Sequence, residues 1–189
     1  MVLNRQNTRG FTLVELMVTT SIAAVMLAIA APSLRDFVQR SQLSSAANDL
    51  SLALMYARSE AIKRGWPVTV CKSANPSASS PACSSAANWQ TGWVVFVNHS
   101  GMTDAATSSV DAGTPADEVI RVGSGLSASV SGGTGFGNYI TFLPAGAVKG
   151  SGNSGSAASG AFTVTVASLA KQVCINTTGR SEVTSGSCP

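Results

Sequence analysis

Between Phe11 and Ala31 the chain carries one ionisable side chain, Glu15, in an otherwise apolar run broken only by threonine and serine. About 20 helical residues suffice to cross a hydrocarbon core, so the run is long enough to be a membrane span. Arg5 and Arg9 precede it, and basic residues before such a run keep the amino terminus cytoplasmic and send the rest outward. A carboxylate inside a bilayer costs roughly 2.5–3.5 kcal/mol even on the lenient insertion scale, so Glu15 requires a role. A secretory signal cleaved near Ala28-Ile29-Ala30 and an uncleaved single-span anchor both leave it unexplained.

Gly10-Phe11-Thr12-Leu13-Val14-Glu15-Leu16 behind a basic leader resembles the type IV prepilin signal. The resemblance implies a leader, residues 1–10, removed by prepilin peptidase between Gly10 and Phe11. It further implies N-methylation of Phe11 and retention of the apolar helix, residues 11–31. Glu15 then occupies the position of the family's glutamate. A carboxylate buried among packed apolar helices needs a counter-charge or it protonates. The free amine of Phe11, from the same or a neighbouring subunit, is the nearest candidate, and the pair would set the axial register of a filament.

The 189 residues suit one domain beside a membrane helix. Without Arg5 and Arg9 the twelve basic residues become ten against nine acidic ones, so any binding of nucleic acid must be local. Cys71, Cys83, Cys174 and Cys188 form no Cys-x-x-Cys pair, and His99 is the single histidine; this spacing suits no zinc site. In an oxidising periplasm two disulfides are expected. Three connectivities are open; the favoured one joins neighbours, Cys71 to Cys83 and Cys174 to Cys188, each closing a short loop worth roughly 3 kcal/mol. No catalytic group, metal or cofactor is expected, because His99 has no partner cluster and Gly132–Gly137 matches neither the P-loop nor the dinucleotide fingerprint.

Beyond Pro32, apolar residues recur at Leu34, Phe37, Val38, Ala47, Leu50, Leu54, Ala57 and Ala61, mostly three or four apart. This predicts one long helix, bent at Pro32, whose half over residues 32–65 is amphipathic and lies on a globular domain. Gly65 and Pro67 end it. Strands are predicted at Val68–Cys71, Trp93–Val97, Tyr139–Leu143, Phe162–Val166 and Val173–Asn176. A hairpin is expected from Glu118–Val122 and Leu126–Val130 across Gly123-Ser124-Gly125, and a flexible loop over Gly146–Gly160. The fold class is α+β, a long helix packed on an antiparallel sheet formed by residues 66–189. Trp66, Trp89 and Trp93 are expected in the core where helix meets sheet, the alternative being an exposed contact.

The segment Leu54–Gly65 running into Val68 and Cys71, with Trp89–Phe96, Ile140–Gly146, and Val173–Asn176 followed by Gly179-Arg180, is similar to successive blocks of the GspH/FimT family. That family holds minor type IV pilins and the minor pseudopilin H of type II secretion. The resemblance implies a structural subunit in the inner membrane, its carboxy-terminal domain periplasmic, that joins a pilus or pseudopilus. Its implied partners are other minor pilins or pseudopilins, the major pilin and prepilin peptidase. The leading expectation is a minor pilin that primes assembly at the filament tip; the alternatives are the pseudopilin and a DNA receptor for transformation. Some FimT proteins bind DNA through a tail Gly-Arg-x-Arg; this chain reads Gly179-Arg180-Ser181-Glu182. Arg180 matches, whereas Glu182 opposes a phosphate contact, unless Lys149 and Lys171 lie nearby.

Overall fold

A computed structural model describes residues 10–99, 116–133, 136–150 and 159–188; the leader arginines and most of the expected 146–160 loop lie outside the described residues. The helix α1 spans Leu13–Arg64. Thr12 caps it, its hydroxyl oxygen accepting the Glu15 N–H at 3.2 Å, which satisfies one of the orphan donors of a helix start. At the other end Gly65 takes φ 71° and donates its N–H to the Ala61 carbonyl at 3.0 Å, a left-handed cap that glycine adopts without a Cβ penalty. Lys63 and Arg64 in the last turn complement the helix dipole. Pro32 falls inside the helix, and a bend there remains an expectation.

The chain divides into two compact units, one ending at Val38 and one beginning at Gln39. In the first, the apolar side chains of α1 are open to solvent: Phe11, Leu13, Met17, Val25, Leu27 and Ile29 are all exposed, and so are Leu34, Phe37 and Val38. The last three fall in this first unit and are exposed, although the sequence places them at the start of the amphipathic half. The buried positions of the apolar period begin at Leu43.

The second unit holds the core. Its strands are β1 (Val68–Lys72), β2 (Gly92–Val97), β3 (Glu118–Ser124), β4 (Ser129–Gly132), β5 (Tyr139–Phe142), β6 (Val148–Gly150), β7 (Gly160–Val166), β8 (Leu169–Ile175) and β9 (Ser181–Thr184). They form two antiparallel sheets, ordered β3-β2-β1-β5-β6 and β4-β7-β8-β9. The stripe Leu43, Ala46, Ala47, Leu50, Ala53, Leu54, Ala57 and Ala61 shares one buried cluster with both sheets, including Val68, Val95, Ile140 and Phe142 from the first and Phe162, Val164 and Val173 from the second. Alanines on the helix let its backbone come close, while burial of each leucine contributes roughly 1.5–3 kcal/mol.

β2 is buried along its whole length because both faces are covered. Trp93, Val95 and Val97 enter the main core; Val94 and Phe96 join Cys71 and Tyr139 in a second cluster backed by Cys83 and Val119. Strict period-2 alternation thus serves two cores. The disulfides join Cys71 to Cys83 and Cys174 to Cys188, the sequence neighbours.

The expected hairpin of Glu118–Val130 does not form. β3 pairs with β2 and β4 with β7, so the chain changes sheets at Gly123-Ser124-Gly125. Gly123 is required for packing: a Cβ there would come within 2.1 Å of the Trp93 indole. β6 and β9, both edge strands, were expected as loop and tail. Among the tryptophans, Trp89 and Trp93 are buried and Trp66 is partly exposed. Trp89 meets Phe162 edge-on at 4.9 Å and donates its indole N–H to the Gly137 carbonyl at 3.2 Å.

Candidate assembly surfaces

The sequence points to two regions, the helix start and the tail, which belong to different units of the chain. At the helix start, Phe11 is 79% exposed, and a Cβ on Gly10 would meet no described atom within 4 Å. Glu15 sits three residues after the capping Thr12, the spacing of a capping box, and engages the cap through its backbone N–H. Its side chain is exposed and has no ion-pair partner among the described residues.

A surface that sequence reading missed lies on α1 within the domain. Ser41, Ser45, Asn48, Leu52, Met55, Ser59 and Ile62 are all exposed, and they alternate in steps of four and three. That is the repeat of a helix-packing seam, on the side of α1 opposite the buried stripe. No ionisable residue interrupts it, although solvent-facing helix surfaces ordinarily carry charges. Leu52, Met55 and Ile62 are each more than half exposed, and Ser41, Ser45 and Ser59 on the same seam allow close approach of another helix. The signal was legible as an uncharged period carrying Leu52, Met55 and Ile62, but the stronger buried stripe hid it.

The far end of α1 is fixed by ion pairs. Arg64 donates from Nε to Glu60 at 2.6 Å and from Nη1 to Glu118 at 2.7 Å, with Lys63 also near Glu60. The Arg64 hydrogen bond holds the Glu60 carboxyl below its ordinary pKa, with desolvation opposing, and the same bond raises Arg64. The arrangement ties the helix end to the start of β3. His99 is half-buried: its backbone N–H donates to Asp117 at 2.8 Å and its ring meets Trp66 edge-on at 4.9 Å.

The tail forms the β8–β9 turn. Asn176 organises it, its side-chain oxygen accepting the Arg180 N–H at 2.9 Å and the Thr178 hydroxyl at 2.8 Å. Gly179 has φ 79°, and a Cβ on it would lie 2.3 Å from the Gly146 carbonyl oxygen. Arg58 packs beneath both turns: a Cβ on Gly146 would lie 3.3 Å from its Nη2, and one on Gly179 would lie 3.1 Å from its Nε. Its buried Nε has no hydrogen-bond partner among the described residues. Three segments similar to separate family blocks therefore meet at one arginine, a convergence that no local pattern announces.

Arg180 is exposed and shares a cleft of about 260 Å³ with Glu182, Cys174 and Cys188. Lys149 follows Val148, whose N–H donates to the Thr177 carbonyl at 3.2 Å, so β6 abuts the tail turn. Lys171 does not join it. Its Nζ donates to Ser44 on α1 at 3.0 Å, and four residues of strand, about 13 Å, separate it from the turn end of β8. The tail therefore sets one exposed arginine beside a carboxylate and is not a row of cations.

Comparison with known proteins gives a consistent picture. The family described as Type II transport protein GspH matches residues 46–179, and the prokaryotic N-terminal methylation motif matches residues 5–31. The fimbrial protein EcpC of Eikenella corrodens is 48% identical over 44 residues, 23% of this chain and 29% of its own length. A fimbrial protein of Pseudomonas aeruginosa is 40% identical over 57 residues, 30% of this chain and 36% of its own. The chain thus aligns with about a third of these relatives' length. Two crystal structures of the P. aeruginosa type IV minor pilin FimU are similar in fold, with TM-scores of 0.51 and 0.53 at 19% identity, covering 78% and 81% of this chain and 97% and 96% of those chains.

Proposed function

Because the chain belongs to the GspH family, we propose that it is a minor subunit of a type IV pilus that primes assembly at the filament tip. The family's assembly with other pilins, together with the methylation motif, supports anchoring in the membrane and incorporation into a pilus or pseudopilus. In this reading residues 1–10 are the leader, prepilin peptidase cuts between Gly10 and Phe11 and methylates Phe11, and residues 11–31 hold the subunit in the inner membrane with its domain in the periplasm. Glu15 then pairs with a Phe11 amine as apolar helices pack.

The observation that carries the reading is the uncharged seam from Ser41 to Ile62 on the open face of α1. An exposed, uncharged helix stripe that carries Leu52, Met55 and Ile62 suits packing against other subunits' helices. A second reading, minor pseudopilin H of type II secretion, is favoured by the family's description and uses the same helix physics. The tail weighs against a DNA receptor, since Glu182 lines the cleft with Arg180 and would repel a phosphate.

Deletion of the gene separates the first two readings. Loss of surface pili, with the subunit present in sheared filaments of the parent strain, is expected for the pilus. A subunit confined to the envelope, with exoprotein secretion lost and piliation intact, would replace that reading with the pseudopilin.

A further inference from the structure

Two clefts flank the seam of α1 near the start of the domain, and they carry opposite charge. One, of about 370 Å³, is lined by Arg40, Ser44 and Lys171; the other, of about 280 Å³, is lined by Asp49 together with Ser41 and Ser45 of the seam itself. We propose that the two clefts pair between copies of this chain: Asp49 of one copy enters the Arg40–Lys171 cleft of the next, and this pairing starts the filament. The inference rests on the reading of the chain as a pilus subunit, in which anchors in one membrane hold α1 parallel in every copy.

Three observations support the pairing. First, each cleft is uncompensated within its own chain. The first has no acidic lining residue and the second no basic one, and Arg40, Asp49 and Lys171 make no ion pair among the described residues. Other charges of the domain are met at home: Arg64 holds Glu60 and Glu118, and Arg180 shares its cleft with Glu182. Second, the clefts lie on opposite margins of the seam. By the helical repeat, Arg40 falls about 80° to one side of Asn48 and Asp49 about 100° to the other. Where the seams of parallel helices face a common axis, one margin of each helix meets the opposite margin of the next, as e and g positions do in a coiled coil. Because the two margins differ, a copy whose acidic cleft is engaged still offers its basic one, so the contact adds subunits and does not close on a pair.

Third, the donors are placed and free to receive a carboxylate. Lys171 is held on the Arg40 side by its hydrogen bond to Ser44 at 3.0 Å, which uses one of its ammonium donors and leaves two; Arg40 and Asp49 are exposed. Asp49 lies five residues beyond Ser44, about 7.5 Å along the helix, so the pairing fixes an axial stagger of that order between copies. Exposed charges attract across a Debye length, about 8–10 Å, which brings the two clefts within range once the seams meet.

The test mixes two full-length variants, Asp49→Asn and Lys171→Gln, in lipid vesicles and treats them with a carbodiimide, which joins a carboxylate to an amine in contact with it. Each variant lacks one half of the pair, so any amide between Asp49 and Lys171 must bridge two copies. Mass spectrometry should find that amide about fivefold more often than amides of Asp49 with Lys72 or Lys149. High salt should lower its yield about fivefold, and adding Arg40→Gln to the Asp49→Asn chain should lower it about threefold. Should either variant lose the parental Tm, the parental chain, mixed as isotope-labelled and unlabelled copies, reports the same bridge through amides that carry both isotopes. Equal yields at the three lysines, a yield indifferent to salt, or no bridging amide would overturn the proposal. Those outcomes leave the pilus reading standing, which fails separately if piliation stays intact after deletion of the gene.

Discussion

The two stretches of α1 are the same secondary structure held for different reasons. From Gln39 onward, the helix buries an alanine- and leucine-rich stripe in a core shared with both sheets. Up to Val38, its large apolar side chains stand in solvent, Leu27 and Ile29 at 69% and 73% exposure. The domain stretch finds its partners within its own unit; in the proposed function the first stretch finds them in lipid or in other subunits. Since helical stability comes mostly from packing an apolar face, mutations in the two stretches should fail in different assays.

The largest contrast is expected from Leu54→Ala against Leu27→Ala. Leu54 is 1% exposed, and its truncation should lower domain stability by about 2–5 kcal/mol in denaturant unfolding. Leu27→Ala should leave that transition within about 0.5 kcal/mol. Equal losses would contradict this difference between the two stretches. Next comes the bridge behind the second core: replacing Cys71 and Cys83 together by serine should cost about 3 kcal/mol, read as a lower Tm that reducing agent no longer changes at this site.

Gly179→Ala should cost about 1–3 kcal/mol, because its φ is left-handed and the Gly146 carbonyl occupies the Cβ position. Backbone amide shifts at Gly146 and Arg58 should move with it, locating the effect at their shared contact. A smaller effect, on the order of 1 kcal/mol, is expected from Glu60→Gln. The folded Glu60 pKa lies below its ordinary 4.5, so its stabilisation is complete above that value and is lost as pH falls through the folded pKa. The variant should flatten this acid limb of the stability profile and leave the rest of its shape unchanged.

Much of this architecture could be read from residues because it is local. Gly65 and Pro67 mark the helix end, and alternation at Phe162, Val164 and Val166 marks β7. The long-range pairing could not be read in the same way. Gly123-Ser124-Gly125 has the composition of a hairpin turn, yet Gly123 serves to admit the Trp93 ring, and β3 and β4 part into different sheets. β6 and β9 are edge strands of three and four residues, too short for a period to show. At the candidate surfaces, Phe11 and Glu15 were legible through motif spacing. The place of Arg58 under Gly146 and Gly179 was not, since it depends on three turns of chain meeting in space.

The central claim is that the open seam of α1 packs against other filament subunits, and site-specific photo-cross-linking in intact cells tests it most directly. A photoreactive residue replacing Met55, more than half exposed on the seam, should give adducts with pilin subunits and leave the domain's Tm unchanged. The same residue at exposed Asn75, in the loop after β1, serves as the off-seam reference and should give none. Absence of pilin adducts at Met55, with the protein present at parental levels, would contradict the claim.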